Sequence, residues 1–182
     1  MSRLSQIILP IALLSHPALA NNFNYNTFEL RAASGTNTFG GEVYLPITNN
    51  SHIITRLDSH LNNDWDAAAG VGFNGPVSPF LDLYGQLLAH HVNPEDLENP
   101  PEGYDEESDV YGEINLGGRL WLTPQVEVVG HYARLVDDED NRSAYTVGAR
   151  FHSTQQLSFG LDWKHYQVYE HQIAFAVRFA YR

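Results

Sequence analysis

The sequence contains no cysteine, a single methionine, and only ten lysines and arginines against 22 acidic residues. Without cysteine there is neither a disulfide framework nor a lipoprotein anchor. A formal net charge of −12 argues against nucleic acid as a partner, because phosphate backbones are bound through clusters of Lys and Arg. No apolar run is long enough to cross a bilayer as a helix. No segment of ten or more residues keeps a helical period either, so the chain reads as all-β.

The first twenty residues have the layout of a secretory signal peptide. Arg3 is a thin basic start, Ile7 to Leu14 form a short apolar core broken by Pro10, and Ala18-Leu19-Ala20 supplies a small-x-small cleavage site. Residues 1–20 are therefore expected to be removed after Ala20, which leaves 21–182 as one domain. Loss of Arg3 makes the remainder slightly more acidic still.

Ten segments fit a period-2 template, in which alternate side chains face opposite ways. They lie near 25–34, 39–47, 52–61, 65–73, 79–91, 109–122, 126–136, 143–152, 157–167 and 172–181. The stretches between them are rich in Asn, Gly, Pro, Ser and Asp, which suit tight turns. An even number of strands puts both ends of the domain on one side. The long segment 92–108 and the acidic run Asp137-Asp138-Glu139-Asp140 then fall together on the opposite side. Glu95 to Asp109 carries eight further acids. Such runs suit solvated loops.

The segment 110–122 tests the faces. Val110, Ile114, Leu116, Leu120 and Leu122 share one face, and Tyr111, Glu113, Asn115, Arg119 and Trp121 the other. A soluble half-buried sheet turns the polar face to water, whereas a membrane barrel turns the apolar face to lipid and the polar face to its lumen. Turning every polar face inward gathers Glu29, Glu42, Asp58, Asp66, Asp82, Glu113, Glu127 and Asp162 with Arg31, Arg56, Arg119, Arg150, Lys164 and Arg178. Charges withdrawn from bulk water need such partners. This predicts a lumen filled by an ion-pair network, with Tyr44, Tyr84, Tyr111 and Gln86 among the filler. On the apolar face Trp65, Tyr132, Tyr145 and Trp163 lie toward one rim, and Phe73, Phe151, Phe179 and Tyr181 toward the other. Two aromatic belts flanking aliphatic residues suit the two headgroup regions.

The last strand alternates Ile173, Phe175, Val177, Phe179 and Tyr181 with Gln172, Ala174, Ala176, Arg178 and Ala180. Together with the export signal and the acidic loops, it resembles the small Gram-negative outer-membrane β-barrels loosely grouped with OmpA- and OmpX-type proteins. Two details depart from that pattern: Arg182 follows the terminal aromatic, and Ala176 stands where the insertion signal often has Gly. The resemblance implies a single antiparallel up-and-down transmembrane barrel; familiar members have eight strands, whereas the alternating segments here count ten, or eight if the early hairpins do not form. It also implies a monomer in the cell outer membrane, assembled by the insertion machinery and in contact with lipid and lipopolysaccharide.

Some barrels of this kind are hydrolases with rim constellations of His and carboxylate. Asp58 with His60, and His90, are the residues such chemistry would use, but no recognisable motif surrounds them. His90-His91 face opposite ways on a strand and make no metal site. No catalytic residue, metal or cofactor is therefore assigned. Small barrels are filled by side chains, and aqueous channels need roughly sixteen strands or more. The expected function is a non-catalytic structural or surface-interaction barrel. A small channel, or a soluble periplasmic β-barrel binding protein, is the alternative. The acidic loops have the chemistry to share divalent cations with lipopolysaccharide phosphates.

Overall fold

A computed structural model describes residues 23–35, 37–59, 64–93, 109–136, 141–166 and 170–181. Ten antiparallel strands follow one another: β1 Thr27–Ser34, β2 Thr38–Thr48, β3 Ser51–Ser59, β4 Trp65–Ser78 and β5 Leu81–Asn93. They continue as β6 Asp109–Thr123, β7 Val126–Val136, β8 Asn141–His152, β9 Leu157–Tyr166 and β10 Glu170–Ala180. Each pairs with its chain neighbours, and β1 pairs with β10 from Thr27↔Ala180 to Ser34↔Ile173, which closes an up-and-down barrel. Closure removes both sheet edges, so every strand has its backbone partners on both sides. The ten-strand count stands, and the eight-strand alternative does not.

One rim is built from short turns with a shared chemistry. Thr48, Ser78, Thr123 and Thr154 each turn a hydroxyl back to accept from backbone amides two or three residues on. This local hydroxyl–backbone pairing stabilises tight turns. The sheet register slips at this rim between Pro46 and Thr48, Pro76 and Ser78, and Trp121 and Thr123. Proline lacks a ladder donor, so it is tolerated at such bulges. That explains the largest boundary error: the run 74–78 reads as a turn, yet β4 continues through it to Ser78 and the turn is Pro79-Phe80. At the other rim Gly35 has φ 115°, the left-handed conformation that favours glycine, and the His171 carbonyl leaves no room for a Cβ. Segments 94–108 and 137–140, which carry most of both acidic runs, lie outside the described residues, as does His60.

The faces split as the alternation requires. Ile114, Leu116, Leu120 and Leu122 are exposed on the outside of β6, Leu116 at 68%. On the inside of the same strand Glu113, Asn115 and Arg119 are buried. The exterior elsewhere is a continuous apolar surface that includes Leu30, Leu57, Leu87, Val147, Leu161 and Phe175. A soluble protein rarely exposes apolar area on this scale. Exposed carbon outside and buried charge inside is the arrangement of a barrel whose solvent is lipid.

Candidate functional site: a charged lumen with a tucked-in N-terminal segment

Inward-facing positions on nine of the strands meet in one connected network of ion pairs and hydrogen bonds. Glu29 is its hub: Arg178 donates to it at 2.9 Å, Arg150 lies at 3.4 Å and Arg31 at 3.9 Å. Arg150 is also held by both oxygens of Asp162. Arg31 reaches Glu42 at 3.2 Å and Asp58 at 3.1 Å. Arg56 then bridges Glu42 at 3.1 Å to Glu113 at 3.5 Å. From Glu113 the chain passes through His90, at 3.0 Å, to Asp66 at 2.8 Å. Planar guanidinium forks can serve two carboxylates at once, which is why arginine carries such a network.

Glycine makes room for the aspartates. Gly40 stands opposite Asp58 and Gly148 opposite Asp162, and a Cβ at either glycine would collide with the facing carboxylate. The small residue lets the carboxylate lie flat on the barrel wall under its arginine.

A second cluster lies toward the short-turn rim. Arg119 donates through Nε and Nη2 to both oxygens of Glu127, which is fully buried and also meets His152 at 2.9 Å. The third nitrogen of Arg119 donates to the Asn24 carbonyl at 2.9 Å. Asn24 belongs to a segment that sequence reasoning misread. Strand one is expected from residue 25, but the ladder begins at Thr27, and Phe23 and Tyr25 fold into the barrel instead. They are 4% and 9% exposed. Phe23 stacks on Trp121, and Tyr25 stacks on His52 at 4.9 Å. The Tyr25 hydroxyl donates to Asp82 at 2.6 Å. The Arg119 guanidinium lies 5.1 Å from the Phe23 ring centre and 4.9 Å from that of Tyr25. The asparagines at 22, 24 and 26 were the available signal, because Asn is depleted from strands.

Between these clusters the lumen keeps a cavity of about 100 Å³. Tyr25, Tyr44 and Tyr84 line it toward the short turns, and Thr38 and Gln172 toward the other rim. Six carboxylates and six basic side chains face it, so its wall is balanced in charge. Lys164, one of those six basic side chains, makes no ion pair among the described residues, and neither does His131, which also lines the cavity.

The residues considered for rim catalysis are placed differently from what that chemistry needs. His90 is buried in the lumen, its two nitrogens held by Asp66 and Glu113 and its ring stacked on Tyr111 at 4.5 Å. Asp58 is held by Arg31. On the exterior, Trp65, Tyr132, Tyr145 and Trp163 lie toward the long-connection rim, and Phe73, Phe151 and Phe179 toward the short turns. Tyr181 sits just past β10 and donates its hydroxyl to the Tyr44 carbonyl at 2.6 Å.

No protein-family model matches the sequence, and no curated protein is similar to it. Solved structures do match. The KdgM porin in complex with disordered oligogalacturonate superposes with a TM-score of 0.56 at 7% identity, covering 86% of this chain and 99% of that one. A further KdgM porin structure gives 0.54 at 4% identity, with the same coverage of both chains. At such identities the likeness is one of fold. A closed antiparallel sheet with an apolar exterior and a charged interior agrees with it: this chain folds as an outer-membrane β-barrel.

Proposed function

We propose that the protein is a non-catalytic outer-membrane barrel whose lumen is closed at rest and whose working surface faces outward. The observation that carries this reading is the double closure of the interior. An ion-pair chain runs from wall to wall, and the Phe23–Asn26 segment fills the end nearest the short turns. In this reading residues 1–20 direct export and are cleaved after Ala20, the short turns are periplasmic, and the barrel is a monomer bounded by lipid and lipopolysaccharide. The cavity of about 100 Å³ has room for several waters.

Planar-bilayer recording tests the closure. The unmutated protein is expected to give small, brief currents. Phe23→Ala combined with Tyr25→Ala is expected to raise conductance while the barrel stays folded. Large, steady currents from the unmutated protein favour the second reading, a small channel, which the likeness to porins and the charge-balanced cavity support.

Localisation has its own test. Folded protein is expected in the outer-membrane fraction, to need detergent for extraction, and to migrate on gels differently before and after heating. Recovery of folded monomer from osmotic-shock fluid without detergent contradicts the membrane reading.

A further inference from the structure

The nine histidines divide by what their nitrogens meet. His90 and His152 are held by lumenal carboxylates. His165 and His171 are different. They lie on the outside of the barrel, on the face of β9 and β10 that carries Leu161, Trp163, Ile173 and Phe175. They are direct cross-strand partners near the long-connection rim, and their ring centres are 4.5 Å apart. No hydrogen bond engages either imidazole among the described residues, and Nδ1 of His165 is buried without a partner. Tyr145 packs on His165 at 4.8 Å, and Trp163 stacks on His171 at 5.6 Å, so both rings are held in place from their flanks.

We propose that His165 and His171 form a two-histidine chelate for a late first-row divalent cation, with zinc or copper as the fitting ions. Neutral imidazole is a preferred ligand for these metals. Zinc binds histidine nitrogen at about 2.0–2.1 Å, which puts two nitrogens on one tetrahedral ion roughly 3.3 Å apart. Rings centred 4.5 Å apart on facing strands reach that separation by small side-chain rotations. Two protein ligands leave the remaining positions to water, so the site is open and exchangeable rather than a closed structural cage. Its place at the rim, one turn of the pleat beyond Trp163, gives it access to the aqueous side of the headgroups. A bound ion also staples β9 to β10 close to where those strands leave the membrane.

The test uses the full barrel, folded in detergent micelles free of lipopolysaccharide, with zinc chloride as the probe. Competition against a chromophoric chelator is expected to show one zinc per chain. His165→Ala and His171→Ala are each expected to weaken binding by roughly tenfold or more, since even losing a group that supports a ligand costs this much. His91→Ala is the control: that ring also lies outside, but packs on Trp65 at 5.0 Å, and among the described residues no second histidine packs on it. It is expected to bind zinc as the unmutated protein does. Zinc is expected to raise the thermal midpoint of the unmutated barrel and of His91→Ala, and to leave the two chelate variants unmoved. Heat-modifiable migration verifies that each variant is folded, and His171→Gln repeats the test should His171→Ala fail to fold. Absence of zinc binding to the unmutated protein, undiminished binding in His171→Ala, or equal loss in His91→Ala overturns the proposal.

Discussion

Leu116→Arg is expected to block or severely reduce assembly of the barrel, whereas Ser158→Ala is expected to assemble normally. Leu116 is the central residue of β6 and the most exposed leucine on the outer face, at 68%. An arginine near the bilayer midplane on the lipid side of a barrel costs about 2–4 kcal/mol, because no water or partner meets its charge there. Snorkelling offers little relief from the middle of a strand that crosses the whole core. Ser158 is buried on the inner face of β9, where the loss of a hydroxyl meets protein rather than lipid. The measurement is the folded fraction on semi-native gels after refolding into lipid vesicles. Equal effects of the two substitutions would mean that the apolar face is not the lipid face.

The side on which each residue lies was legible because a strand has one periodicity and little freedom. Once Glu113 and Arg119 were placed inside, Leu116 and Leu120 had to be outside. The strand count followed from the turns, since Thr48, Thr123 and Thr154 punctuate the chain with hydroxyls that close tight connections. Boundaries suffered where proline suggested a turn but sat in a bulge, as at Pro76. The pairing of charges was not legible. Glu29 meets Arg178 and Arg150 from residues far along the chain, a choice set by how the strands tilt and stagger around the closed barrel. The sequence places His90 at the rim, because its strand position says nothing about Asp66 and Glu113 converging on it from either side. Phe23 and Tyr25 look like the apolar half of a strand. What turns them inward is the lumen itself, through Trp121, His52 and Arg119, and these are contacts between residues distant in sequence.

The same contacts give the second large effect: Arg119→Ala is expected both to destabilise the barrel and to raise its conductance. The substitution removes three things together. Glu127, fully buried, loses its two-pronged partner and keeps only His152. Breaking one side of a buried ion pair costs about 3–5 kcal/mol, because the remaining charge is stranded away from water. The Asn24 carbonyl loses its donor. The rings of Phe23 and Tyr25 lose the cation that lies over both, an interaction of about 0.5–2 kcal/mol each. Lysine cannot replace the fork or stack as a plane on two rings, so Arg119→Lys is expected to fall between the two in both readouts. The double variant Arg119→Ala with Glu127→Gln separates the causes. It removes the stranded charge, so thermal stability should largely return, while Phe23 and Tyr25 stay unclamped and conductance stays high. Bilayer recording and thermal melts on the same preparations supply both numbers. Lost stability with unchanged current in Arg119→Ala would make the arginine a structural tie alone, and closure of the lumen would then rest on the ion-pair chain through Glu29 rather than on the N-terminal segment.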